Sequence, residues 1–335
     1  MKPPHKHPHK FLWGCLLVLR LRNIMVNLLT YNSVGAYKNG VSTLSKLNCL
    51  ESDFVRYLIF AGGYKNSPVS KQGELFYKHL VKMALIFRNG DFYSSSDYFN
   101  SETSIKTAIS YFIGLLSSYA IADKVYNVPY LFHLKDPVIS NVKKKDRKTP
   151  DFFGLINGSI NSPLLLEAKG TYKEEFAGST IQNAEKQLNT IKSLNFKTSS
   201  RVYSISTFKG CITGSYFVND KLHFCNIDPE VDGHIVYDFN ADIEIISYYN
   251  NIMSLLYSND SKYDTFEGVK YKLISFEDYK IGLNNEVFEL LSTINSLSDC
   301  SGLYHSISEV SIGDYKKSND SSISLGRDGL IVIKS

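Results

Sequence analysis

Two periods run through the apolar and polar positions of this chain. Leu75, Phe76, Leu80, Met83 and Phe87 recur at helical spacing over 72–87, and Asn89-Gly90 supplies a stop, so a helix is expected there. The Ser/Asn-rich stretch 94–103 reads as a loop. Ser101 or Ser104 can cap a stronger helix, in which Ile105, Ala108, Ile109, Phe112, Leu116 and Tyr119 share a face. Short extended runs follow at 128–134, 151–156 and 164–169. Residues 180–194 return to helical spacing through Ile181, Ala184, Leu188 and Ile191, and 202–208 reads as a strand ended by Lys209-Gly210. Beyond this, a helix is expected near 243–257, a strand at 271–276, a helix at 285–293 and a strand at 330–334, after the turn Gly326–Gly329 with Asp328 as turn former. Residues 25–70 are weakly patterned.

The order helix, strand, strand, strand, helix, strand predicts an α/β class fold, an α+β mixed sheet flanked by helices. The chain divides into an N-terminal extension (1–24), a helical N-terminal region (25–100), a core (101–235) and a C-terminal α/β elaboration (236–335). No sharp linker is visible, so one domain with an elaboration and two domains both fit.

Composition changes this picture little. Hydrophobic residues make up 43% and charged residues 21% of 335, an ordinary globular balance. A net charge of +4 announces no polyanionic partner, so any such partner must be argued from local clustering. The five cysteines form no CxxC pair and are odd in number, which argues against a disulfide framework or zinc site and for a reducing, cytoplasmic setting. Lys2, Lys6 and Lys10 before the apolar run 11–19 have the look of a signal peptide, but Arg20 and Arg22 follow instead of a small-x-small cleavage site. The run is too short to span a bilayer, and no other segment reads as apolar enough to do so. The start reads as a loosely packed extension, with Met25 an alternative first residue.

The candidate chemistry lies at 143–171. Leu164-Leu165-Leu166 runs into Glu167-Ala168-Lys169, and alternation puts Glu167 and Lys169 on one face of a strand. Asp151 starts the preceding strand. A tight turn at Asn157-Gly158 would carry Asp151 out of register and onto the other face. A wider loop centred near Ser159 and ending at Pro163, which cannot donate to the ladder, puts Asp151 opposite Glu167. In that register two carboxylates and an ammonium converge. The carboxylates suit Mg²⁺ or Mn²⁺ as oxygen ligands, and the lysine suits a developing oxyanion. Lys143, Lys144, Lys145, Arg147 and Lys148 stand just upstream and suit a nucleic-acid backbone.

Plainer readings compete at each position. Glu167 and Lys169 could be an edge ion pair, Asp151 a turn residue, and 143–148 a solvated loop. His133 and His223 sit in apolar runs and read as packed, and Ile227-Asp228-Pro229-Glu230 reads as a turn.

Pro150-Asp151, a short gap and Glu167-Ala168-Lys169 after an apolar run resemble the PD-(D/E)XK nuclease superfamily, whose restriction-endonuclease-like core has the element order read above. The resemblance covers roughly a third of the chain. It implies Asp151 and Glu167 as metal ligands, Lys169 as the catalytic lysine, and a helix glutamine, Gln187 in preference to Gln182, as a site residue. It implies a further acid from the first core helix. None lies within 104–122, so Glu102 or Glu74 would have to substitute, with Glu102 taken as the metal ligand. It also implies a metal-dependent nuclease on DNA, with RNA not excluded, in restriction or antiviral defence. Double-strand cleavage is easiest for a homodimer, and residues 236–335 could receive a partner protein. The alternative is a catalytically silent nuclease-like fold that binds nucleic acid or protein.

Overall fold

The computed structural model describes residues 24–61, 70–134, 148–258, 260–294, 296–310 and 322–335. The architecture is mixed α/β, with mixed sheets flanked by helices. Among the described residues the largest sheet has nine strands: β1 (Ile24–Tyr31), β2 (Thr43–Cys49), β3 (Leu85–Arg88), β4 (Asp91–Ser94), β5 (Leu131–His133), β6 (Phe152–Leu155), β7 (Pro163–Gly170), β10 (Lys209–Val218) and β11 (Lys221–Ile227). The main path is β2-β1-β11-β10-β7-β6-β5, with β4 pairing β11 and β3 pairing β4. The β1–β11 and β7–β10 pairs are parallel. The triple leucine lies in the interior of this sheet, between β6 and β10, where both faces of a strand are covered and a continuous apolar run is required.

The β6–β7 hairpin takes the wider loop. Phe152 faces Leu166 and Leu155 faces Pro163, so the connection runs over 156–162. Asn157 and Gly158 do adopt left-handed backbone, at φ 53° and 70°, but inside this larger loop, which is closed by Ile156 N–H donating to Ser162 O.

Helix α5 (Thr103–Lys124) crosses the end of β7 at unusually close range. A Cβ on Gly170 would lie 1.8 Å from Ser110 O, and one on Gly114 would lie 2.6 Å from Lys169 O. Small residues on that side of the helix (Ser110, Gly114, Ser117 and Ser118) permit the approach, and Ser118 Oγ meets Thr213 Oγ1 at 2.6 Å. From Ile113 onward α5 is buried all round, whereas Ile105 and Ala108 are exposed. Contrary to the sequence expectation, α5 is long and apolar enough to cross a bilayer by length and composition, yet 67% of that window is buried inside the protein.

Several elements differ from the sequence pattern. The weakly patterned N-terminal region supplies β1, β2, the short α1 (Val34–Lys38) and α2 (Glu51–Ala61); β1 pairs with nearby β2 on one side and with β11, far along the chain, on the other. Helix α3 (Lys71–Ala84) stops early. Residues 85–88 pair with 91–94 about Asn89-Gly90, which is a hairpin turn and not a helix stop. The stretch 94–103 contains α4 (Ser96–Asn100), capped by Ser95. Helix α6 (Gly178–Leu188) ends before Ile191, and β8 (Ile191–Lys197) pairs in parallel with β12 (Ile235–Asn240) and antiparallel with β9 (Val202–Ile205). The strand read at 202–208 therefore belongs to a separate three-stranded sheet, and β10 takes the place beside β7.

The C-terminal part places α7 (Ala241–Leu256), α8 (Asn285–Ser292) and α9 (Leu303–Glu309) around a five-stranded antiparallel sheet. Its strands, in spatial order, are β13 (Lys262–Phe266), β14 (Val269–Phe276), β15 (Tyr279–Asn284), β17 (Leu330–Lys334) and β16 (Ile323–Leu325). One apolar core runs from β1 to β17, with a small satellite about Tyr271, Leu273, Ile323 and Ile331. The β16–β17 turn does more than reverse the chain. Arg56 of α2 pairs with Asp123 of α5 at 2.5 Å and donates Nε–H to Ser324 Oγ at 2.8 Å, and all three are buried. Asp328, also buried, accepts from Tyr248 Oη at 2.7 Å, and burial raises its pKa while the nearby Arg56 opposes the shift.

Candidate functional site

Glu167 lies in the interior of β7 and is fully buried, and Asp151 stands directly before β6 behind buried Thr149 and Pro150. Extending the hairpin register by one pair sets Asp151 opposite Glu167. The two are laced across the strands: Asp151 N–H donates to Glu167 Oε2 at 3.1 Å, and Ala168 N–H donates to Asp151 Oδ2 at 2.9 Å. Lys169, on the same face as Glu167, places Nζ on Glu167 Oε1. Burial is the main cause that pushes the Glu167 carboxyl up to about 8; the Asp151 charge adds to this and Lys169 opposes it. Burial raises Asp151 as well, again against Lys169. One ammonium thus does not offset the cost of ionising both a buried and an adjacent half-buried carboxyl.

Gln187 reaches this group from α6. Its Oε1 accepts from Lys169 Nζ at 3.5 Å and its Nε2 donates to Thr149 O at 3.4 Å, so it links the lysine to the segment before Asp151. Thr190 Oγ1 holds the same segment through Lys148 O at 2.8 Å. Gln182 is exposed on another side of the helix. Beside Lys169 opens a cleft of about 920 Å³, lined by Lys148, Lys186, Asn183, Asn189 and His234, with Glu185 as its acid.

The other sequence candidates fall elsewhere. Lys143, Lys144, Lys145 and Arg147 lie outside the described residues; Lys148 is exposed at the cleft. Glu102 does not join the carboxylates. It is exposed, takes a hydrogen bond from Ser104 Oγ at 3.1 Å, and stands about 12 Å of helix axis before Ser110, where α5 meets β7. Glu74 is buried, and burial alone raises its carboxyl to about 8, with no part played by Asp151 or Glu167. His133 is half-buried against Tyr119 and Phe152, and His223 stacks on Tyr216. Cys49, Cys211, Cys225 and Cys300 are buried and in no disulfide.

No group of three or more His, Cys, Asp or Glu side chains able to hold a metal occurs among the described residues. The pair Asp151 and Glu167 nevertheless fits a hard divalent cation by its chemistry. Both supply carboxylate oxygens and stand side by side, and a cation bound between them would favour the ionised forms that burial opposes.

Sequence reasoning missed Tyr111. It is exposed on α5, and burial and then the Asp151 and Glu167 charges raise its pKa. The residue faces away from the apolar stripe of α5, which is why periodicity passed over it. Lys186 was also missed, although its position next to Gln187 was a usable signal.

No family model matches the chain, and no curated protein or solved structure matches it.

Proposed function

We propose that the protein is a metal-dependent nuclease of the PD-(D/E)XK type that hydrolyses phosphodiester bonds in DNA. The single observation that carries this reading is the cross-strand register, in which Asp151 meets Glu167 and Lys169 closes on the same carboxylate. The succession α5, β5, β6, β7, α6 and then β10, parallel to β7, is compatible with a restriction-endonuclease-like core into which the β8–β9 hairpin has been inserted.

In this reading Asp151 and Glu167 would hold Mg²⁺ or Mn²⁺. Bound there, the ion supplies Lewis acidity and charge neutralisation at a phosphodiester. Lys169 presents a positive charge at the rim of the cleft, where negative charge would develop on the attacked phosphate. Gln187 keeps that ammonium directed by its link to Thr149. Lys148 and Lys186 attract the backbone without reading sequence. A role in defence against foreign DNA rests on the resemblance alone.

The absence of a third acid beside the pair among the described residues favours a second reading, a silent nuclease-like fold that binds nucleic acid without cutting it. Supercoiled plasmid incubated with Mg²⁺ or Mn²⁺ separates the two. The wild type should nick or linearise it, and Lys169→Ala should cut at least ~100-fold more slowly while still binding. A folded wild type that cuts neither DNA nor RNA with either ion would leave the silent reading standing.

A further inference from the structure

We propose that the strand entering this site is single-stranded or locally unpaired, and that a row of aromatic rings on α3 and α5 stacks its bases. The inference rests on the nuclease reading only for where the phosphates lie.

The row runs Phe76, Tyr77, Phe112, Tyr111, with ring centroids 6.0, 4.8 and 5.8 Å apart in turn. Its two ends are open to solvent, Phe76 at 59% and Tyr111 at 53% exposure. Scattered exposed aromatics need no explanation, but a connected row does. Helix α3 makes the arrangement odder still, because it turns Glu74 and Lys78 inward together with Val81 and Ala84 and leaves Phe76 outside. A helix that buries charge and exposes phenylalanine has not been arranged by core packing alone.

The position of the row gives it a partner. Its Tyr111 end sits on the turn of α5 between Ser110, whose carbonyl packs on Gly170, and Gly114, which packs on Lys169 O, and Lys169 joins Glu167 to the basic cleft. Rings and cationic groups therefore flank one site. Lys148, Lys169 and Lys186 suit phosphates, and aromatic rings suit base faces, which are free in an unpaired strand and covered in a duplex. A second copy of the chain would also cover an apolar row, but it would leave the basic cleft beside the same carboxylates without a counterpart.

Fluorescence anisotropy in EDTA, with a short labelled oligonucleotide as single strand and as duplex, tests this without cleavage. The wild type should bind the single strand at least ~10-fold tighter, and Phe76→Ala and Tyr111→Ala should each weaken that binding by about tenfold while leaving duplex binding unchanged. Tyr111→Phe, which keeps the ring, should retain it. Equal affinity for both forms, no binding to either, or equal losses on both would overturn the proposal. So would a Phe76→Ala variant that keeps its single-strand affinity but passes from dimer to monomer in sedimentation, since that assigns the row to a second copy. A protein that binds single strands and cuts nothing would refute the nuclease reading alone. One that cuts duplex with no preference for unpaired strand would refute this inference alone.

Discussion

Replacing Glu74 by Gln should stabilise the protein at alkaline pH and leave it nearly unchanged in acid. Glu74 is 2% exposed, and its Oε1 finds no hydrogen-bond partner among the described residues. Lys78, one turn further along the same buried face, gives its ammonium to Glu277 at 2.6 Å over the Tyr279 ring. Burial therefore acts unopposed and raises the carboxyl from 4.5 to about 8. The folded state holds this proton over a pH range in which the unfolded chain has released it, so stability falls as pH rises from 4.5 to about 8 and is flat beyond. At about 1.4 kcal/mol per pH unit, that interval amounts to on the order of 5 kcal/mol. Glutamine keeps the shape and the neutral state at every pH. Urea unfolding of both proteins, followed by circular dichroism, should give matching stabilities near pH 4.5 and a gap that widens to several kcal/mol by about pH 8.5. A gap that stays constant across pH would refute the reasoning.

Two further substitutions probe the fold. Gly170→Ala drives a Cβ into Ser110 O and should cost about 3 kcal/mol or more and slow cleavage by shifting Lys169, whereas Gly178→Ala, which meets nothing within 4 Å, should be tolerated; thermal melts and the plasmid assay report both. Arg56→Met removes the nearer cation from Asp123, which keeps Lys124 at 3.9 Å, and the favourable charge near buried Asp328; it should lower stability by about 3 kcal/mol, part of which Arg56→Met/Asp123→Leu should restore in denaturant titrations.

The hairpin that sets Asp151 against Glu167 was legible because two local facts agreed. Proline at 163 cannot donate to a ladder, and the triple leucine demanded a strand covered on both faces. The end of α6 was not legible, since Ile191 continues the helical spacing of Ile181, Ala184 and Leu188. Only its distant partner, Ile235 of β12, makes it a strand. Likewise β1 becomes an interior strand through β11, a pairing that no local window contains, although its other partner, β2, is close in sequence. Asp328 followed a glycine-rich pattern and read as a turn former, because the guanidinium that shares its burial lies on α2, at the other end of the chain. Local propensity marks where elements start, and long-range pairing decides what several of them become.

The lattice of contacts about Arg56 also has a timing consequence. Ser324, which takes its Nε–H and in turn donates to Asp53, is 271 positions later than Asp53. At ~5–20 residues per second a ribosome takes on the order of 15–50 s to reach it. Until then Arg56, Asp53 and Asp123 lack the hydroxyl of Ser324 and the carboxylate of Asp328 that surround them in the folded protein. The β16–β17 hairpin thus acts as a latch on this group, whose full set of hydrogen bonds requires its presence.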